Sequence, residues 1–368
     1  IGIIYDPGSE IFGGVFIVNH PISGVNVSFI NGATCSTTIN ASYSGSGAVS
    51  NSGQLIINNV FDSGLITNYG LLELAANAVV SSTINNSVGA TLNITGAGSG
   101  IINNAGTLNV INPLDATGNV TNSGFINMQN IINMPGFTLT NTGSMSMHGA
   151  QYLDAANFVS SGVQNYTITN ADVFDQLTTT CPINITNGVI NVTSNFVGPV
   201  GTNVSWDILQ GSSLLANSST TINTPVSNIL GTWSEQLING NTLRIQYTHN
   251  DNNGSMFTPQ PGVSTEIANV LYEMSLNPNI TPDQIALLQA VYSATTQEQY
   301  DYILSNLAPN TTTSNINLMM QNIGFNKVEA RITQVKSDYH ETGIATGDIT
   351  PNTSMWLSGF GSISKQNT

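Results

Sequence analysis

Positive charge is almost missing from this 368-residue chain. It has five Lys and Arg together against 20 Asp and Glu, and none of the five precedes Arg244. The other four are Lys327, Arg331, Lys336 and Lys365, so residues 1–243 carry ten acidic side chains and no cation. Binding a phosphate backbone through counterion release needs clustered Lys or Arg. Nucleic acid is therefore excluded as a partner for that part, and anionic membrane surfaces are disfavoured for the same reason. Charge of either sign is scarce: 7% of residues, against roughly 25% in an ordinary soluble domain. No run of 18 apolar residues occurs, which excludes a transmembrane helix. Helical periodicity is absent from the first half.

Cysteine is equally rare. Cys35 and Cys181 are the only two, and a disulfide needs Cα atoms within about 7 Å. If both sit in one straight stack they lie about eight coils apart, so two buried or isolated thiols are expected. His20, His148, His249 and His340 are scattered, with no zinc-like spacing. Gly96, Gly98 and Gly100 are not followed by a helix or a Lys and read as a corner, not a phosphate loop. Asp251–Gly254 lacks the bidentate acid of a calcium loop and reads as a plain turn. No metal or cofactor is expected.

What the chain has instead is amides and hydroxyls around an apolar 40%. There are 49 Asn and 35 Gly, and the mean hydropathy is +0.07. The asparagines keep a period. An Asn-x-Gly step, entered from a β-branched or Leu position and followed by alternating apolar residues, recurs as Val49-Ser-Asn51-Ser-Gly53, Ile66-Thr-Asn68-Tyr-Gly70, Ile102-Asn-Asn104-Ala-Gly106, Val120-Thr-Asn122-Ser-Gly124 and Leu139-Thr-Asn141-Thr-Gly143. A variant copy at Asn86 takes one extra residue before Gly89. Asn51, Asn68, Asn86, Asn104, Asn122 and Asn141 are separated by 17, 18, 18, 18 and 19 residues. Compositional bias alone would give a disordered Asn-rich tract without a period.

Alternation such as Leu108-Asn109-Val110 is the pattern of a strand with one buried face. A unit of about 18 residues is too short for its own core but stacks on its neighbours. The fold class is therefore all-β, a right-handed parallel β-helix of about 18 residues per coil. Equivalent Asn residues stack about 4.8 Å apart and share amide hydrogen bonds. Gly is expected to supply positive φ at the corners, and Asn to tolerate it. About 14 coils over residues 1–250 would make a rod about 65 Å long.

The pattern divides the chain into a β-helix at 1–205, a β cap at 206–250, a helical linker at 251–336 and a junction at 337–368. The cap is signalled by Trp206, Trp233 and a hairpin step at Asn239-Gly240, and it shields strand edges that an open stack end would expose. The helices are announced by capping boxes at Thr281–Gln284 and Thr295–Glu298. A longer helix is expected over 315–336. Met355–Ser364 alternates for ten residues, the length of a membrane-spanning β-strand. A single strand leaves its backbone unsatisfied in lipid, so a barrel would continue beyond Thr368.

This order of parts resembles the passenger–barrel junction of an autotransporter, the bacterial type V secretion system. Thr281 to Arg331 and Gly347 to Gln366 are most similar to the rickettsial surface-cell-antigen and outer-membrane-protein-B relatives, and Gly231 to Tyr247 is similar to their junction cap. The resemblance implies a passenger displayed on the bacterial cell surface, exported through the periplasm and held in the outer membrane by the C-terminal barrel. The function expected is that of an elongated adhesin or surface scaffold whose partners are a host cell-surface receptor, a glycan or neighbouring copies. A self-associating surface-layer subunit is the alternative.

An enzyme is a third class. Asp154 and Asp172 are 18 residues apart, one coil, with Asp175 nearby. Carboxylates about 5 Å apart can serve as acid and nucleophile of a glycosidase. No aromatic sugar platform accompanies them, and solvated loop carboxylates are the plainer reading, so no catalysis is expected.

Overall fold

The computed structural model describes residues 14–24, 28–96, 98–196, 203–228, 230–249, 265–277 and 281–307. The expected helix over 315–336, the strand at 355–364, the turn at 251–254 and His340 lie outside them. The stack and cap belong to one compact unit, Ile1–Ser305.

The chain is mostly β. Between Gly14 and Asn223 it winds as a parallel β-solenoid with three faces. One face is an eleven-stranded sheet running from Gly14–Val18 to Thr221–Asn223, with every neighbouring pair parallel. A second sheet has fifteen strands and a third has four, Ile22–Gly24, Tyr43–Gly45, Val60–Asp62 and Val79–Val80. From Gly14 to Val163 the register advances in eight turns of about 19 residues. The next two turns take 26 and 32 residues. The coil count drawn from the short repeat is therefore too high. The ten steps of the eleven-stranded sheet span about 48 Å at the strand spacing, not 65 Å.

Alternation fixes which side chains enter the stack. Leu72 and Leu74 face inward, in register with Leu55 and Ile57 on one side and Leu92 and Ile94 on the other, all fully buried. The second sheet contributes Val49, Ile66, Ile84, Ile102, Val120, Leu139 and Phe158, also fully buried. Like stacks on like because a parallel register repeats each inward position at the same depth. Since each coil's apolar side chains are covered by the coils above and below, a lone coil has no core.

The corner glycines correct the sequence reading. Among the described residues positive φ occurs at Gly14, Gly89, Gly98, Gly136, Gly149 and Gly240, and at two that are not glycine, Asn187 and Asn239. Gly53, Gly70, Gly106, Gly124 and Gly143, and the repeat asparagines, have ordinary φ. The repeat needs Gly for closeness instead. A Cβ on Gly124 would lie 2.1 Å from the Gly106 carbonyl oxygen, and one on Gly143 2.1 Å from that of Gly124. The corners stack backbone on backbone, leaving no room for a methyl group.

At the C-terminal end the sheet turns antiparallel. Strand Val204–Gln210 pairs with Thr242–His249, which pairs with Gly231–Ile238. The hairpin between the last two turns at Asn239 (φ 51°) and Gly240 (φ 68°), the two left-handed residues of a type I′ turn. Trp206, Trp233, Tyr247 and Phe196 pack their rings together, with Trp206 and Trp233 stacked at 5.5 Å. Trp206 Nε1 donates to the carbonyls of Asn170 and Ala171 in the preceding turn.

Among the described residues three helices follow, α1 (Thr265–Leu276), α2 (Pro282–Tyr292) and α3 (Gln297–Leu307). Helix α2 opens on the reciprocal Thr281–Gln284 box with Pro282 in its first turn. The cap of α3 sits one residue later than its sequence suggests. Thr296 Oγ1 accepts from Gln299 N, and Gln299 Oε1 accepts from Thr295 N, so Thr295 and Glu298 are not the pair. Helix α2 is tied to the end of the stack: Asn228 Nδ2 donates to the Tyr292 carbonyl at 2.6 Å, and Gln289 Nε2 to that of Asn195.

Candidate interaction surface

The repeat asparagines form one buried column. Each Nδ2 donates forward to the next Oδ1: Asn51 to Asn68 at 2.7 Å, Asn68 to Asn86 at 2.8 Å, Asn86 to Asn104 at 2.7 Å, Asn104 to Asn122 at 2.7 Å and Asn122 to Asn141 at 2.7 Å. The second N–H donates to a backbone carbonyl of the following coil, as from Asn104 to Phe125. Meanwhile the backbone carbonyls of Asn51, Asn86, Asn104, Asn122 and Asn141 each accept two N–H groups at the next corner, as Asn104 does from Ser123 and Gly124, whereas that of Asn68 accepts from Ser87 at the variant corner. One side chain thus satisfies the corner's polar groups in an interior where an unmade bond is costly.

The column is longer than the repeat motif. Asn31 Nδ2 donates to Asn51 at 2.7 Å, and Thr37 Oγ1 donates to Asn31 Oδ1 in place of an earlier amide. At the other end Asn141 Nδ2 donates to Ser160 Oγ at 3.0 Å. Neither end carries the full signature, since Asn31 is followed directly by Gly32 and Ser160 replaces Asn before Gly162. The Ser160-x-Gly162 spacing was the available clue.

Shorter ladders run on the outside. On the eleven-stranded sheet Asn127 donates to Asn109 and Asn109 to Asn93, and further along Asn223 donates to Asn191 and Asn191 to Asn165. Asn103 donates to Asn85 on the fifteen-stranded sheet, and Asn58 to Asn40 to Asn19 at an outer corner. These exposed and half-buried ladders all donate backward, opposite to the buried column. On the eleven-stranded face the column holding Asn93, Asn109 and Asn127 contains one charged residue, Glu73. This outer column therefore presents neutral donors and acceptors repeated along the stack.

The three aspartates are not brought together as the 18-residue spacing implied. They fall where the turn has lengthened to 26 residues, so the residue one coil beyond Asp154 is Thr180, whose hydroxyl donates to Asp154 Oδ1 at 3.1 Å. Asp175 is nearly buried, and its carboxylate accepts from the backbone N–H groups of Gly149 at 2.6 Å and Thr167 at 2.7 Å. Asp172 sits in an exposed loop closed by Asn170. Asp175 is a backbone clasp and Asp154 part of a polar ladder.

Burial governs the remaining electrostatics. It pushes the Tyr166 phenol far above its ordinary value, with the Asp175 charge adding to the shift. Tyr247, Tyr292 and Tyr300 are also raised, chiefly by burial. The Cys181 thiol, bonded to Thr179, is raised by burial as well. Cys35 and Cys181 are both buried. Arg244, the first cation in the chain, makes a two-pronged bond to Asp207 at 2.6 and 3.0 Å; that bond and the Asp207 charge raise its pKa. Among the described residues no group of three or more His, Cys, Asp or Glu is placed to hold a metal ion, and no helix is long and apolar enough to cross a membrane.

No known protein family matches the chain, and no curated protein matches it significantly.

Proposed function

We propose that this chain is the C-terminal part of an autotransporter passenger, displayed on the bacterial cell surface as an elongated adhesin or scaffold. The observation that carries this reading is the ladder-covered outer surface: neutral amides repeated coil after coil, almost without charge, on a stack closed at its C-terminal end by an antiparallel cap. Such a surface suits broad contact with a host receptor or glycan, each contact weak and the sum set by length. In this proposal the coils are right-handed, as parallel crossovers almost always are. The helices lead to the first strand of an outer-membrane barrel that continues beyond Thr368, and the passenger reaches the surface through the periplasm.

The surface is proposed to bind, not to catalyse. What supports this is the engagement of Asp175 by backbone N–H groups and the absence of a register partner for Asp154 among the other aspartates. The test is display of the chain on bacteria with its native flanking sequence, followed by antibody labelling of intact cells and a host-cell binding assay with the purified chain. Surface labelling with saturable binding supports the proposal; labelling only after permeabilisation overturns it. Clumping of bacteria without host-cell binding would favour the surface-layer subunit, and sugar release lost in Asp154→Asn would favour the enzyme.

A further inference from the structure

The fifteen-stranded sheet ends on strand Gly231–Ile238, which pairs only with Thr242–His249 among the described residues. The outer side of this edge is partly closed. Asn228 Oδ1 accepts from Gly231 N, the Gly231 carbonyl accepts from Asn228 N, and Ser227 Oγ accepts from Trp233 N. Those bonds fix the parity of the strand. Odd-numbered residues aim their backbone groups away from Thr242–His249, because in an antiparallel strand the N–H and C=O of one residue point the same way. Glu235 and Leu237 therefore turn their N–H and C=O outward, beyond the reach of the Asn228 clasp. Ser234, Glu235, Gln236 and Leu237 are exposed, Leu237 at 49%.

An open edge is a template for another strand, and the charge here selects which strand. Glu235 is the one charged side chain on Gly231–Ile238, in a chain of net charge −15. Full antiparallel pairing of this edge with a second copy, Trp233 opposite Leu237, sets Glu235 against Glu235, which is destabilising. A cationic residue in that place is favoured by the same rule. Asp207 offers no competing attraction, since Arg244 already neutralises it. We propose that the Glu235–Leu237 edge is a docking site for an extended, Lys- or Arg-containing polypeptide of another protein, which adds a strand to the cap. This site is independent of the surface-display reading, because it requires only the cap hairpin.

The test uses the full chain and three fluorescent decapeptides that alternate Thr or Val with Lys, Gln or Glu, read by anisotropy at low salt. The Lys peptide should bind, the Gln peptide should bind about two- to fivefold more weakly per pair lost, and the Glu peptide weakest. Glu235→Lys should reverse the order of the Lys and Glu peptides while leaving the circular dichroism unchanged. A Lys peptide N-methylated at alternate backbone positions should lose binding, since strand addition runs through main-chain bonds. Equal binding of the methylated peptide, an unchanged order in Glu235→Lys, or no binding of any peptide would overturn the proposal. So would concentration-dependent dimerisation of the free chain that Leu237→Pro abolishes.

Discussion

Asn104 donates to Asn122 Oδ1 at 2.7 Å across one coil, and both side chains are buried to 1% exposure or less. That bond is the unit from which the column is built. Its donor is committed twice, to the next amide and to the Phe125 carbonyl, so the side chain is a strut between coils.

Asn104→Ala should therefore cost about 2–4 kcal/mol, because it takes the acceptor from one Asn86 N–H and the donor from Asn122 Oδ1 in the interior. Asn103→Ala, one residue away on the outside, should cost less than about 0.5 kcal/mol. Urea unfolding followed by far-UV circular dichroism measures both. Equal losses would show that the column contributes nothing special.

The glycine finding separates two kinds of corner. Gly124→Ala places a methyl 2.1 Å from the Gly106 oxygen and should break the stack locally or prevent folding. Gly136→Ala meets nothing within 4 Å but must adopt φ 86°, at a cost of roughly 1–2 kcal/mol. The expected result is a soluble, slightly destabilised Gly136→Ala and little soluble Gly124→Ala, compared by yield and urea midpoint.

Stability should fall above about pH 10. Tyr166, Tyr247, Tyr292 and Tyr300 have folded pKa values above the ordinary value of 10.0. The unfolded chain releases these protons first, so it binds fewer protons than the fold over that range, and stability drops as pH rises. Below pH 10 these groups contribute no slope. Tryptophan fluorescence against pH, with Trp356→Phe so that Trp206 and Trp233 alone report, should show the cap opening, and Tyr292→Phe should move the midpoint upward. Unfolding below pH 9 would need another cause.

Arg244 gives a protease test. It is the first trypsin site and lies within a strand, paired with Asp207. Native chain should resist cleavage there, whereas urea-treated chain should yield residues 1–244 as one fragment, both read by mass spectrometry. Since both partners are about a third exposed, Arg244→Gln should cost no more than about 1 kcal/mol. Trp206→Ala, at 1% exposure, should cost about 3–5 kcal/mol.

The amino-acid sequence alone determined the stacking direction of this protein. A parallel register must repeat the same inward and outward positions, so the period of Asn51 to Asn141 and the alternation after each Gly were sufficient to give parallel coils and the Asn51 to Asn141 part of the buried column. The hairpin at Asn239-Gly240 and the Thr281–Gln284 cap were readable for the same reason, because each is a local preference of the residues involved. Tertiary structure decided what depends on the neighbouring coil. Glycine at the corners reads in one dimension as a need for positive φ, but it answers the approach of a carbonyl about 18 residues away. Thr37 ends the column through a contact that carries no motif, and Ser160 ends it with only the spacing to Gly162 kept. The lengthening of the coil after Val163 moved Asp154 opposite Thr180, because an insertion changes which residue lies above another without altering either residue's local pattern.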